Sequence, residues 1–396
     1  MFGARINLLR VRRGHDHHPV TYIELFFDLV FVFAVTQLSH GLLKHFTVLG
    51  LVQTALLTFG IWWIWVFTAW ITNWLDPDRP AVRLMLVGLM LAGLVLACAI
   101  PTAFGDRGLV FALAYVGMQV GRTGFMLWAL KRHDPGNFRN FTRIFVWFAV
   151  AALFWIAGAF VDGTTRLCVW AIALAIEYVG PSVYFWVPGL GRSSTADWQI
   201  EGAHLAERCG LFIIIALGES ILITGATFAE LTWTPTTIAA FVVAFTGSAA
   251  MWAVYFNIGA KRASRHIAAS DDPGRMGRSG YTYLHVLIVA GIIVVAVGDE
   301  LVLHHPDGHT GIGTVAAIVG GPALYLIGNA LFKRLSISIL PTSHLVGLGL
   351  LAALAPAAAI VTPLVLSAAT TAILIAVVTW EWLWVDRGKT AKAPSH

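Results

Sequence analysis

Charge is scarce in this chain. Only 12% of its 396 residues are Asp, Glu, Lys or Arg, against about a quarter in a soluble domain, while 58% are hydrophobic and the mean hydropathy is +0.77. A soluble globular composition is excluded. Cysteine is scarcer still: Cys98, Cys168 and Cys209 are far apart, odd in number and without a Cys-x-x-Cys spacing, which argues against a disulfide framework or a thiolate metal site. The Gly-x4-Gly-Lys-Ser/Thr, Gly-x-Ser-x-Gly and His-Glu-x-x-His patterns are absent, so no nucleotide loop, nucleophile elbow or zinc helix is expected, and no cofactor or metal. Sustained period-two alternation is missing too, which removes strands. The net charge of +5 is not gathered into a basic stripe, so nucleic acid is not an expected partner.

What remains is apolar length. Runs long enough to cross about 30 Å of hydrocarbon lie near 20–43, 50–74, 83–102, 108–130, 141–161, 166–188, 204–228, 236–259, 281–303, 312–332, 343–361 and 363–385. Turn-forming clusters separate them, among them Asp76-Pro77-Asp78, Asp134-Pro135-Gly136, Asp272-Pro273-Gly274 and Pro306-Asp307-Gly308. The fold expected is an all-α, polytopic integral membrane helix bundle of twelve spans in a lipid bilayer. The first run is too long and too acidic for a signal-peptide core and has no small-x-small cleavage site straight after it, so it is expected to stay as a span.

Charge placement tests that count. With the N-terminus inside and the sides alternating, every Lys and Arg falls in or beside a cytoplasmic segment except Lys44, Arg107, Arg166 and the intramembrane Arg122. This predicts both termini in the cytoplasm. The basic tail with His15, His17 and His18 is expected to be solvated.

The twelve spans also pair as two parallel six-helix repeats. Span one begins with Glu24 and span seven with Glu207; Tyr115 and Gln119 in span four match Tyr325 and Asn329 in span ten; Glu177 in span six matches Glu381 in span twelve. Six spans per repeat give both halves one orientation, related by an axis along the membrane normal. The expected organisation is a tail at 1–19, a first repeat at 20–188, a linker at 189–203, a second repeat at 204–385 and a tail at 386–396.

Acids inside such segments are costly and mark candidate sites. Glu24 and Asp28 are one helical turn apart, about 6 Å along one face. Arg122 falls at a similar inner depth and is the expected counter-ion of Asp28. Glu177, Glu207, Glu219 and His285 complete the candidate ion, proton or substrate groups, with Glu219 and Glu177 expected without basic partners. Glu381 is expected at the interface, and Asp299, Glu300, His304, His305, Asp307 and His309 in one wet outer loop.

The first span, Glu24-Leu-Phe-Phe-Asp28-Leu-Val-Phe-Val, resembles the bacterial low-temperature-requirement A family (LtrA). So do Trp70-Ile-Thr-Asn73-Trp-Leu-Asp76-Pro-Asp78, Gly210-Leu-Phe-Ile-Ile-Ile-Ala-Leu-Gly218-Glu219-Ser220, and His285 with Gly298-Asp299-Glu300. The resemblance spans nearly the whole chain and implies a multi-span bacterial membrane protein without an established activity. Phe27-Asp28-Leu-Val-Phe is also similar to the Phe-Ser-Asp motif of lysosomal-type potassium channels, although Phe27 replaces the serine and the second repeat has Leu211 at the matching place. Unpaired acids and a parallel repeat favour a transporter or permease for a small solute or cation. An ion channel, or a membrane enzyme or assembly factor, is the alternative.

Overall fold

In the computed structural model, residues 6–10, 19–198, 200–270, 272–338 and 340–390 are described. They are almost wholly helical, with no strand beyond two isolated bridges. The helices are α1 (Tyr22–Lys44), α2 (Val48–Trp74), α3 (Pro80–Ala99), α4 (Gly108–Leu130), α5 (Pro135–Ala159), α6 (Gly163–Ser182), α7 (Gly202–Glu230), α8 (Pro235–Val254), α9 (Lys261–Ala268), α10 (Pro273–Met276), α11 (His285–His304), α12 (Ile312–Ile337), α13 (Thr342–Ala357) and α14 (Pro363–Thr390). Two π-helical segments, Tyr255–Ala260 and Gly277–Leu284, join α8 to α9 and α10 to α11.

Each of the twelve apolar runs lies on a helix. Ten helical stretches among the described residues are long and apolar enough to cross a membrane. The two that fall short have identifiable reasons. The α6 helix is 20 residues long and carries Arg166, Glu177 and an internal Pro181, and α13 is 16 residues long. The basic stretch from Lys261 onward, expected as an inner loop, contains the short helices α9 and α10.

The turn clusters start helices for stated reasons. Asp134 caps α5 by accepting a hydrogen bond from the Asn137 amide at 3.0 Å, with Pro135 in the first turn, where its missing N–H costs nothing. Thr234 caps α8 in the same way, with Pro235 following.

The chain divides into two compact units. One holds residues up to Leu211 together with Ser270–Arg278; the other holds Phe212–Ala269 and the chain from Ser279. The division falls inside α7, beyond the linker expected at 189–203.

In the first unit, α2 is buried on every side from Gly60 to Leu75, as a helix apolar all round should be. Its aromatics fill the interior: Trp63 stacks on Tyr178 at 3.9 Å, and Trp62 lies 4.9 Å from Trp65. The segment before α1 is docked rather than solvated where it is described. Leu8 is buried, the Arg10 amide donates to the Trp74 carbonyl at 2.8 Å, and the Asp76 amide donates to the Leu8 carbonyl at 2.9 Å. His15, His17 and His18 lie outside the described residues.

In the second unit, α11 and α12 pack through glycines. A methyl group at Gly291 would stand 2.6 Å from the Tyr325 nitrogen, and one at Gly321 would stand 2.8 Å from the Val295 nitrogen. Backbones approach closely where small residues line the seam.

Candidate functional site

Glu24 sits in the first turn of α1 and has two tasks. Its Oε2 accepts from the Thr21 amide at 3.0 Å and the Thr21 hydroxyl at 2.8 Å, tying down the start of the helix. Its Oε1 accepts from Nη1 of Arg208, on α7, at 3.0 Å. One turn later, Asp28 Oδ1 accepts from Arg208 Nη2 at 2.5 Å and from the Trp65 indole N–H at 2.7 Å. One guanidinium thus spans both acids, as the four-residue spacing allows, and all three side chains are fully buried. Arg208 also reaches the Thr72 hydroxyl at 3.2 Å and lies 5.8 Å from the Trp65 ring centroid.

A second guanidinium closes the cluster from the N-terminal side. Arg10 donates through Nε to the Thr72 carbonyl at 2.9 Å, and its Nη2 lies 3.4 Å from Glu24 Oε2. His204 stands 3.2 Å from Glu24 Oε1, and Asn73 exchanges hydrogen bonds with the backbone of Glu201 at 2.7 and 3.0 Å. Two acids and two guanidiniums balance in charge. A buried ion cluster persists only when its members are paired and hydrogen-bonded in this way. Two atoms of the cluster are exceptions: Asp28 Oδ2 and Arg208 Nε are buried, with no hydrogen-bond partner among the described residues.

Asp28 is therefore held by Arg208 rather than by Arg122, the counter-ion expected from depth. Arg122, on α4, donates through Nη1 to the Ile64 carbonyl at 2.8 Å and the Thr68 hydroxyl at 2.9 Å, and through Nη2 to Gln119 Oε1. Gln119 turns its amide to Glu177 Oε2 at 3.1 Å, where the Tyr115 hydroxyl also donates at 2.6 Å. The Trp155 indole N–H reaches Glu177 Oε1 at 3.2 Å. Glu177 was expected without a basic partner; three donors hold it, and one of them links it to Arg122. Thr68 and Thr72, one turn apart on α2, face the two clusters.

Glu207, Glu219 and His285 complete the candidates. Glu207 is half-buried and accepts from the Val20 amide at 3.3 Å. Glu219 is buried on α7 within the second unit, beside the buried Ser220. His285 begins α11 where the π-helical segment ends. Its Nε2 lies 2.8 Å from the Tyr255 hydroxyl and its Nδ1 3.2 Å from the Gly280 carbonyl, with Tyr281 and Phe332 against its ring. It occupies an aromatic, hydrogen-bonded setting of helix packing.

Two acids depart from expectation. Glu381, expected at the interface, is buried and bound by Lys333 Nζ at 2.7 and 2.9 Å, with Lys333 also donating to the Val254 carbonyl at 3.2 Å. Asp299, expected in a wet loop, belongs to the buried face of α11, because that helix runs on to His304. His304, His305, Asp307 and His309 are exposed, as expected.

Arg208 is the residue that sequence reasoning missed. Its signal was present: aligning Glu207 with Glu24 puts Arg208 at the depth of the first-span acids.

The family model of the bacterial low temperature requirement A protein (LtrA) matches residues 19–379. An uncharacterized protein of Rhizobium meliloti (strain 1021) is 41% identical over 373 residues, covering 94% of this chain and 91% of that protein. No solved structure matches the chain. The match takes in both acids of α1, Arg208 and the acids of α6 and α7, and the chain belongs to the bacterial low temperature requirement A family.

Proposed function

We propose that the protein is a cation- or proton-coupled carrier for a small solute or cation in the bacterial cytoplasmic membrane. The reading includes twelve crossings, two parallel six-helix repeats and both termini in the cytoplasm. The transport reading rests on the Glu24–Asp28–Arg208 cluster, in which Asp28 keeps one buried oxygen without a hydrogen bond among the described residues. A charge inside hydrocarbon costs about 2.5–3.5 kcal/mol on insertion scales, and acids retained there mark ion or proton paths. An oxygen left open in such a cluster is an acceptor for a proton or a cation. A cleft of ≈ 310 Å³ at the far end of α1, lined by Gln37, His45, Gln53 and Thr54, is of a size for a small solute.

The repeat reading gains support from a recurring arrangement. In the first unit a cation of the fourth helix, Arg122, donates to a carbonyl of the second (Ile64) and is linked through Gln119 to an acid of the sixth, Glu177. In the second unit, Lys333 of α12 donates to a carbonyl of α8 (Val254) and binds Glu381 of α14. The paired acids and the paired helices are those that the internal register aligns. Counting α6 and α13 with the ten longer stretches gives the twelve crossings, and the Lys and Arg placement supports cytoplasmic termini.

Purified protein in liposomes tests the function. Saturable uptake driven by a proton or sodium gradient, and lost in Asp28→Asn or Glu219→Gln, is the expected result. Flux that does not saturate would make the protein a channel. Absence of flux under every gradient would remove transport and leave a membrane enzyme or assembly factor.

A further inference from the structure

The second unit holds a small cavity that the ion clusters above do not use. It lies among α8, α11, α12 and α14 and holds ≈ 20 Å³, where about 10–15 Å³ admits one water molecule. Its wall is mixed: eight of the twelve lining residues are glycine or apolar, and the side-chain oxygens come from two helices, α11 and α14. Asp299 contributes a carboxylate that is 93% buried, with Oδ2 accepting no hydrogen bond among the described residues. Opposite, α14 contributes Ser367, Thr370 and Thr371, all buried.

Two details make these oxygens acceptors. The Thr370 hydroxyl gives its proton to the Ser367 carbonyl at 2.9 Å, which leaves the lone pairs of that hydroxyl for another partner. Pro322, inside α12, has no N–H to give the carbonyl four residues earlier, that of Ile318. Ile318 and Pro322 both line the cavity, so the helical bond is missing at its wall. Carbonyls released by helix irregularity are suited to cations where they border a cavity.

We propose that this cavity is a binding site for one dehydrated alkali cation of sodium size, held by Asp299, the Thr370 and Thr371 hydroxyls and the Ile318 carbonyl. The charge count selects the valence. Asp299 is the one carboxylate lining the cavity, and it balances a single positive charge. Divalent calcium takes 6–8 oxygens and is usually bound by several carboxylates. No histidine or cysteine lines the cavity and its one sulfur is the Met251 thioether, so the carboxylate and hydroxyl oxygens are hard donors that suit an alkali cation better than a transition metal. As the coupling site of a carrier the assignment rests on the transport reading above; as a binding site it does not, so its test is read without flux.

The test uses the full chain in detergent, at constant ionic strength, with sodium exchanged for N-methylglucamine. The expected result is a thermal midpoint that rises saturably with sodium. Asp299→Asn abolishes the rise, and Thr370→Val and Thr371→Val each weaken the half-saturating sodium concentration by roughly tenfold or more. If Asp299→Asn does not fold, the two threonine variants decide the matter. Equal midpoints in sodium and N-methylglucamine would overturn the site, as would a sodium response that survives all three substitutions. A response to pH alone, with no dependence on sodium, would make Asp299 a protonated acid and also overturn it. Sodium binding in a protein that shows no flux in liposomes would remove the transport reading and leave the site standing.

Discussion

Arg208 Nη2 lies 2.5 Å from Asp28 Oδ1, although 180 residues separate the two in the chain and neither is exposed. The same guanidinium holds Glu24, so removing it would leave two buried acids with one fewer cation between them. Arg208→Ala is expected to destabilise the detergent-solubilised protein by about 3–5 kcal/mol. Asp28→Asn combined with Arg208→Gln should recover part of that loss, because no uncompensated charge remains at Asp28. A cycle of thermal midpoints checks this, and a double variant no better than Arg208→Ala alone would refute the pairing.

Gln119 is the joint between Arg122 and Glu177, serving one with its carbonyl oxygen and the other with its amide. Gln119→Leu breaks both links, whereas Tyr115→Phe removes only the 2.6 Å bond to Glu177. Hydrogen bonds to charged groups are worth about 1.5–3 kcal/mol each, so Gln119→Leu should cost visibly more than Tyr115→Phe. Measured unfolding in a denaturing detergent titration ranks the two; equal losses would mean that Gln119 does not join the groups.

The glycine seam gives a paired test. Gly291→Ala places a methyl 2.6 Å from backbone that cannot step aside, and should cost about 1–3 kcal/mol. Gly117→Ala meets nothing within 4 Å and, by helix propensity, should be neutral or stabilising by up to about 1 kcal/mol. Thermal midpoints of the two variants should move in different directions.

Sidedness is open to labelling. In a background with Cys98, Cys168 and Cys209 changed to alanine, Asp307→Cys should react with an impermeant maleimide added outside intact cells. Lys131→Cys should react only after the membrane is opened. The reverse pattern would invert the topology proposed here.

Much of the fold was legible because apolar length is a one-dimensional signal: each run in the sequence lies on a helix. The acids of α1 were legible for the same reason, as charges breaking a hydrophobic run. Their partner was not. Depth along a helix can be counted from the chain, but which helix stands beside α1, and which way it is rotated, depends on packing that no single run encodes. Arg122 and Arg208 both lie deep enough, and only packing sets Arg122 against Thr68 and Arg208 against Thr72. Asp299 was misread because it adjoins Glu300 and a histidine-rich turn. The sequence shows a polar cluster there, while the helix carries its first member inward. Lys333 was hidden in the same way, beside the exposed Arg334.

The 184 residues between Glu24 and Arg208 also set an order of assembly. Ribosomes add about 5–20 residues per second, so roughly 10–40 s pass between the synthesis of the first helix and that of its guanidinium partner. During that interval the two acids of α1 have no Arg208 to neutralise them. They must stay wet or protonated, or wait inside the insertion machinery. The first helix to be made is therefore among the last to be settled, and a chain stopped before its seventh helix should be recognised and degraded rather than kept as a half-protein.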